Sequence, residues 1–294
     1  MIIYLTGGSG FIGRYMFSNL DANFRFYSRQ SKPIIFSDIV IHLAGIAHDL
    51  KTVKSPDEYY KVNTELTKEV FDAFLVSKAK VFITLSSVKA VADEVNGELS
   101  EEVTPNPFTH YGKSKMLAEK YIFSKLIPDG KRVYILRPCM IHGPGNKGNL
   151  NLLYSLVSKG IPWPLGAFKN KRSFCSIDNL MFIIRELIER DDIPSGVYNV
   201  ADDSPLSTND VISILAESQN RKAKIWEVSK GLIQFLAKLG DILRLPLTTE
   251  RLQKLTESYL VSNQKIKSAI GKDLPISAKD GLLKTFNSFQ INAK

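Results

Sequence analysis

Residues 1–13 constrain the fold more than any other stretch. An apolar run from Met1 to Leu5 ends in Thr6 and passes at once into TGGSGFIG at 6–13. Gly7, Gly10 and Gly13 satisfy GxxGxxG, and Gly8, Gly10 and Gly13 satisfy GxGxxG. Small residues here let the backbone turn tightly after a strand and approach a pyrophosphate. The helix that follows offers free N–H groups and a partial positive charge. Gly13 lets that helix lie close to the sheet. A strand before and a helix after are the context that gives a glycine pattern its meaning. Gly7, Gly10, Phe11, Ile12 and Gly13 are therefore candidate residues for binding a dinucleotide. The apolar run has no basic leader, so it reads as a buried strand and not as a signal peptide.

Downstream, short β-rich runs alternate with helical segments. The predicted strands are Ile2–Leu5, Phe24–Tyr27, Ile39–Leu43, Val81–Leu85 and Val133–Leu136; the predicted helices are Phe11–Leu20, Asn63–Ser77 and Tyr111–Phe123. Continuous apolar strands alternating with helices predict an α/β fold, a Rossmann-type doubly wound parallel sheet covered on both faces. Ligands then sit outside the carboxyl ends of the strands. After Pro138 the pattern becomes loop-rich and then helix-rich, with one clear strand at Val197–Val200. Residues 1–145 are expected to form the NAD(P)-binding domain. Residues 146–294 are expected to form mainly a smaller, helix-rich substrate lobe, with some segments returning to the first domain.

Composition closes off several function classes. The 294 residues are 44% hydrophobic and 23% charged, an ordinary soluble balance. Cys139 and Cys175 stand alone, without metal-ligand spacing, so no metal site is expected and a reducing cytoplasm fits best. No apolar run approaches the ~20 residues of a membrane span. The net charge of +9 raises nucleic acid as a partner, but the lysines are scattered and no aromatic-basic motif accompanies them. A basic surface, or a small anionic substrate, accounts for the charge. KGLIQFLAKLGDILR at 230–244 is an amphipathic helix with a stripe of Leu232, Phe235, Leu236, Leu239, Ile242 and Leu243. It is expected to pack on its own domain; a homodimer face and a membrane-surface contact are the alternatives.

The end of the second strand usually selects the cofactor. An acid there binds the ribose 2′-hydroxyl of NAD, whereas a nearby arginine accommodates the 2′-phosphate of NADP. This chain has Ser28 and Arg29 and no acid, which favours NADP(H) over NAD(H). Only Gln30–Ser37 separate this strand from the next, where a helix and a further strand are usual. The adenine side of the pocket is expected to be abbreviated.

YGKSK at 111–115 is YxxxK on a predicted helix, which places Tyr111 and Lys115 on one face. An ammonium near a phenol stabilises phenolate and pulls the tyrosine pKa down from ~10. Tyr111 can then exchange a proton near neutral pH while Lys115 also holds a ribose hydroxyl. The strand at 81–85 ends in Ser86 and Ser87. A hydroxyl at the carboxyl end of a parallel strand faces the cleft, so Ser87, with Ser86 as the alternative, can hydrogen-bond the oxygen that gains or loses a proton beside Tyr111.

With these motifs assembled, the chain resembles the extended short-chain dehydrogenase/reductase superfamily. The carriers are TGGSGFIG at 6–13, HLAG at 42–45, LSS at 85–87, YGKSK at 111–115 and LRP at 136–138, in the family's order and spacing. The resemblance implies Ser87, Tyr111 and Lys115 as the catalytic triad. It implies Leu43, Ala44, Gly45 and Pro138 as further cofactor-binding residues, and Asn63 as the helix asparagine behind the lysine. In the second half, Asn149 and Leu150 match a pair near a nucleotide diphosphate, and Arg172 matches a diphosphate-binding arginine. A guanidinium suits that role because it grips phosphate with two donors.

Within the superfamily, the chain is similar to bacterial proteins that reduce UDP-4-keto-6-deoxy-N-acetylhexosamines, and to UDP-glucose 4-epimerase-like proteins. The carriers are LSSVKA at 85–90, GPGNKGNL at 143–150 and PLGAFKNKRS at 164–173. The implied activity is reduction of the C4 keto group of a UDP-linked 6-deoxy-N-acetylhexosamine for surface polysaccharide synthesis, with Ser87, Lys89, Asn149, Leu150 and Arg172 contacting the substrate. A 4,6-dehydratase is disfavoured, because Val88 and Lys89 stand where such enzymes carry paired Asp and Glu. An NAD-dependent 4-epimerase is the alternative, and a non-catalytic dinucleotide-sensing protein is a second one.

Overall fold

The computed structural model describes residues 1–26, 36–46, 55–146, 149–243, 245 and 247–291. Six parallel strands form the central sheet: β1 (Ile2–Thr6), β2 (Asn23–Phe26), β3 (Ile39–His42), β4 (Val81–Leu85), β6 (Arg132–Pro138) and β9 (Gly196–Val200). Their order is β2-β1-β3-β4-β6-β9. The short strands β5 (Glu98–Leu99) and β10 (Leu260–Val261) pair with each other, as do β7 (Met140–His142) and β8 (Phe174–Ser176). The Rossmann-type α/β expectation is met.

The chain leaves β1 for β2 on one side and then returns to β3 on the other, in register Ile3 to Ile39 and Leu5 to Ile41. This reversal opens a crevice above the carboxyl ends of β1 and β3, where a ligand can enter. Among the described residues no strand lies beyond β2. The strand at 197–200 becomes the opposite edge: Pro138 pairs with Val200, so this segment of the second half returns to the main sheet.

Period-two alternation divides the core. Ile3, Leu5, Ile41, Ile83 and Leu136 face α1 (Phe11–Asn19) and α6 (Ile177–Glu189), where Met16, Leu180, Ile183 and Leu187 are buried against them. Tyr4, Val40, Phe82 and Ile135 face the opposite way, onto α3 (Leu66–Leu75) and α4 (His110–Phe123). There Phe71, Phe74 and Phe82 have ring centroids 5.0–6.0 Å apart. Each such pair contributes about 0.5–1.5 kcal/mol beyond area burial, which adds to the aliphatic packing of Val40, Val70, Val133 and Ile135 on the same face. Helix formation continues between α2 (Pro56–Tyr59) and α3 through a wider π-helical stretch at Tyr60–Glu65. That bulge contains Asn63.

A separate apolar cluster in the second half joins α5 (Asn149–Ser158), α7 (Thr208–Ser218), α8 (Lys230–Leu243), α9 (Thr249–Thr256) and α11 (Ala278–Ile291). α10 (Gln264–Ile270) packs instead under the main sheet through Ile266 and Ile270. Helix α8 packs into this cluster, as the sequence suggests, but not through the stripe expected. It packs through Ile233, Ala237 and Gly240, whereas most of the stripe at Leu232, Phe235, Leu236, Ile242 and Leu243 faces outward. Gly240 explains the choice of face. A Cβ there would lie 1.8 Å from the Leu247 carbonyl oxygen, so only glycine lets the following chain fold back so closely.

Candidate active site

The glycine-rich turn is built for close approach. Gly7 has φ +72°, a conformation that favours glycine, and its carbonyl accepts the Gly10 N–H at 3.0 Å. A Cβ on Gly7 would stand 2.6 Å from the Ala44 nitrogen, and one on Gly13 would stand 2.5 Å from the Gly7 carbonyl oxygen. The turn is therefore clamped between the end of β3 and the start of α1. Gly10 caps α1 without a side-chain hydrogen bond, and the first turn carries no acid. Its N–H groups and dipole suit a pyrophosphate.

Behind the turn runs a buried polar chain. The Thr6 hydroxyl accepts the Ala44 N–H at 3.1 Å and hydrogen-bonds His42 Nδ1 at 2.8 Å; His42 Nε2 meets the Thr67 hydroxyl at 2.9 Å. The Thr67 hydroxyl donates to the Asn63 carbonyl. Burial, with the Lys115 charge nearby, holds the His42 pKa down to about 3, so the imidazole is neutral. Asn63 is fully buried; its amide oxygen accepts the Ile46 N–H at 2.8 Å, and its amide nitrogen donates to the Ile46 carbonyl and the Ser114 hydroxyl. A Cβ on Gly45 would meet both Asn63 Oδ1 and Lys115 Nζ at 3.0 Å, which places these three residues together.

Ser87, Tyr111 and Lys115 converge at the carboxyl end of β4. The Ser87 hydroxyl hydrogen-bonds the Tyr111 phenol, and it also accepts the Lys89 N–H at 3.2 Å to cap the short helical turn at Val88–Ala90. Thr109 caps α4 at the Gly112 N–H, and the Asp93 carboxylate accepts the Phe108 and Thr109 N–H groups and the Thr109 hydroxyl proton. Gly112 lets α4 approach the Ser87 turn, because a Cβ there would lie 2.4 Å from the Lys89 carbonyl oxygen. Lys115 donates to the Leu85 carbonyl at 2.9 Å. One turn further on, Glu119 forms a buried two-pronged ion pair with Arg137 at 2.9 and 2.6 Å.

The electrostatics differ from the sequence expectation for Tyr111. Burial pushes its pKa up, and the hydrogen bond from Ser87 only partly opposes that rise. Lys115 is not what sets it. Burial lowers the Lys115 pKa to about 8, with Glu119 acting in the opposite direction. Both groups are therefore held nearer their neutral forms, because desolvation penalises either charge.

A cavity of about 540 Å³ joins these elements. From the sequence candidates it gathers Gly7, Gly10, Phe11, Ile12, Gly13, Leu43, Gly45, Ser87, Lys89, Tyr111, Lys115, Pro138, Leu150 and Arg172. Ala44 and Asn63 stand just behind its wall. Ser86 also lines it, with a buried hydroxyl that has no protein partner. Ser28 and Arg29 lie outside the described residues, as does the Asn149 side chain; the backbone of Asn149 opens α5.

Arg172 lies at the wall formed with Ser173 and Tyr259. Its guanidinium donates to Glu257 at 2.6 Å and to the Lys254 carbonyl at 3.0 Å, leaving further donors on the fork. Lys89 donates to the Asp93 carbonyl at 2.5 Å and lies 4.3 Å from the Tyr259 ring centroid. Burial lowers the Lys89 pKa. Tyr259 and Cys139 also line the cavity, though no sequence motif marked them. Tyr259 arrives from a segment far along the chain, through a single backbone bridge to Arg172. No cluster of His, Cys, Asp and Glu among the described residues could hold a metal ion.

The dimensions and donor set fit an NAD(P) dinucleotide: a clamped glycine turn at a helix N-terminus, an adjoining apolar wall, and Lys115 beside Tyr111 within reach of a ribose. Comparison with known proteins agrees. The NAD dependent epimerase/dehydratase family matches residues 28–201. A Vibrio cholerae protein named UDP-glucose 4-epimerase is 30% identical over 267 residues, covering 87% of this chain and 78% of its own. An Escherichia coli O157:H7 protein, N-acetyl-alpha-D-glucosaminyl-diphospho-ditrans,octacis-undecaprenol 4-epimerase, is 25% identical, covering 99% and 96%. The crystal structure of UDP-glucuronic acid 4-epimerase from Bacillus cereus in complex with NAD shares the fold. Its TM-score is 0.75 at 20% identity, over 100% of both chains.

Proposed function

The chain belongs to the NAD dependent epimerase/dehydratase family, an NAD(P)-dependent enzyme of the nucleotide-sugar 4-epimerase and reductase type. From that premise we propose that it reduces the C4 ketone of a UDP-linked 6-deoxy-N-acetylhexosamine, with NADPH as the donor. The observation that carries this reading is the Ser87–Tyr111 hydrogen bond inside a cavity that also reaches the glycine turn and Arg172. Residues 1–145 hold the dinucleotide, and residues 146–294 mainly hold the substrate.

The nicotinamide, when bound, supplies a hydride to C4. The chain's own side chains handle position and proton. Arg172, with Asn149 and Leu150, takes the diphosphate end, so that the sugar extends towards Ser87. Ser87 holds the C4 oxygen by a hydrogen bond. Tyr111 delivers its proton to that oxygen as the oxygen gains charge. Lys115, one turn along the same helix, answers the negative charge left on Tyr111 with a group already in place. The Leu85 carbonyl holds Lys115 there, in the space that Gly45 leaves open. Ser28 and Arg29 select the phosphorylated cofactor.

A second reading, 4-epimerisation with retained NAD, draws on the name of the Vibrio cholerae relative. One assay separates the two. Reduced-nicotinamide absorbance is followed with NADPH and a UDP-4-keto-6-deoxy-N-acetylhexosamine, alongside UDP-N-acetylglucosamine without added cofactor. Stoichiometric oxidation of NADPH is expected. Conversion of UDP-N-acetylglucosamine to its C4 epimer, with no net cofactor consumption in either arm, would install the epimerase. Dinucleotide binding without turnover of either sugar would leave a sensing protein.

A further inference from the structure

We propose that α8 is an in-plane membrane anchor that docks the protein on an anionic lipid surface. Leu232, Phe235, Leu236, Ile242 and Leu243 are 41–78% exposed on one side of a 14-residue helix. Trp226, just before the helix, is 58% exposed. The inner side of the helix is already occupied, because Ile233 and Ala237 are buried in the second-half core. The outer stripe is therefore a surplus that folding does not use. Single exposed apolar residues are ordinary on a protein surface, but an aromatic and aliphatic row of this kind on one helix marks an interaction site.

Charge identifies the occupant. Residues 221–243 carry five Lys and Arg against two Asp and Glu, in a chain of net charge +9. Arg221, Lys222, Lys224, Lys230 and Lys238 are all exposed. Of the two acids, Asp241 is engaged by the Thr249 backbone and hydroxyl. At 100° per residue, Lys230, Gln234, Lys238 and Asp241 fall on the arc opposite the outer stripe. Phe, Leu and Ile on one side with lysines on the other is the pattern of a helix lying in the headgroup region. Flexible lysine stems let the ammonium groups reach the phosphates while the stripe enters the acyl boundary. The helix is too short to span a bilayer, and no described helix is long and apolar enough to do so. A second copy fits less well. Two chains of net charge +9 repel each other, whereas an anionic surface attracts either one.

The position of α8 also ties docking to the site. It packs on α9, whose Lys254 carbonyl accepts the Arg172 guanidinium. The anchored helix is thus one element away from the cavity wall.

The test is sedimentation of the full chain with vesicles of phosphatidylcholine alone and of phosphatidylcholine mixed with phosphatidylglycerol. Binding to the mixed vesicles only is expected, weakening as salt is raised because the attraction is screened. The double variant Phe235→Glu, Ile242→Glu should lose roughly tenfold or more in affinity while cofactor binding is kept, since aromatic and aliphatic burial drives insertion. Lys230→Gln with Lys238→Gln is a milder pair that leaves the apolar row intact; it should weaken binding at low salt and converge with wild type at high salt. A chain that stays in the supernatant with both lipids overturns the proposal. So does a dimer in solution that Phe235→Glu converts to monomer without any vesicle binding, which would assign the stripe to a second copy. Neither readout depends on turnover, so failure here leaves the proposed reaction standing.

Discussion

Lys115 donates to the Leu85 carbonyl at 2.9 Å, so its ammonium ties the helix bearing Tyr111 to the strand that leads into Ser87. The three groups of the site are thereby held by one another and by backbone, with little reliance on loops. Sites mounted on helices and strands keep their geometry better than sites on loops. Gly45 leaves room for the Lys115 ammonium by lacking a side chain, and Asn63 fixes the neighbouring chain by bonding both backbone groups of Ile46.

Tyr111→Phe should bind NADP(H) almost as wild type does and lose most turnover. The ring still packs edge-on against Tyr59. The transferable proton is gone, and loss of one acid–base group commonly costs ~10²–10⁴-fold. Cofactor fluorescence titration beside steady-state rates checks both halves. Comparable turnover in the two proteins would remove Tyr111 from the mechanism.

The alkaline limb of kcat/KM should follow Lys115. Burial holds its pKa at about 8, and Glu119 raises it by favouring the ammonium. As pH rises through that value the ammonium is lost and turnover should fall. Glu119→Gln removes the favourable charge and leaves the buried Arg137 cation without its partner. Both effects disfavour a protonated Lys115, so the limb should move to lower pH. A limb that stays in place in this variant would mean that another group titrates.

Much of the site was legible because its parts are local. The turn at 6–13, the hydroxyls after Leu85 and the Tyr111–Lys115 spacing each need only a few consecutive residues. Lines of force across the fold were not legible. Tyr259 reaches the cavity through one bridge to Arg172, and no local spacing announces it. The raised Tyr111 pKa depends on how completely the phenol is buried, which a four-residue spacing does not encode. Helix α8 shows the same limit. Its periodicity was clear, but the choice of inner face was made by Gly240 against the Leu247 carbonyl. Glu119 could have been found from its i+4 step beyond Lys115 together with the arginine of LRP.

Acid should destabilise the fold partly through His42. Its pKa is about 3 in the folded protein against 6.5 for an unperturbed histidine. Between those values the unfolded chain binds the extra proton, so stability rises with pH. The contribution is fully present above pH 6.5, is lost as pH falls, and is exhausted below about 3. The limiting slope is about 1.4 kcal/mol per pH unit. His42→Gln should lower stability at pH 7, because the links to Thr6 and Thr67 change, but it should flatten the decline from pH 6 to pH 4. Urea unfolding at several pH values measures this; an equally steep decline would exclude His42 as its source.

Arg172→Ala should weaken UDP binding far more than NADP(H) binding. The guanidinium lies at the cavity wall beside Ser173 and Tyr259, held by Glu257 and by the Lys254 carbonyl. That anchoring fixes the plane of the fork while leaving donors for phosphate oxygens. Losing a charge-assisted contact costs on the order of 1.5–3 kcal/mol. Arg172→Lys should not restore it, because an ammonium cannot make the paired contact. Glu257→Gln offers the converse test. It removes a carboxylate that competes with phosphate for the same cation, so UDP affinity should hold or rise provided the arginine keeps its bond to Lys254. Calorimetric titration with UDP and with uridine separates diphosphate from base. The Arg172→Ala loss should appear with UDP and be absent with uridine. Equal UDP affinity in wild type and Arg172→Ala would return Arg172 to a purely structural role, bracing α9 through Lys254 and Glu257.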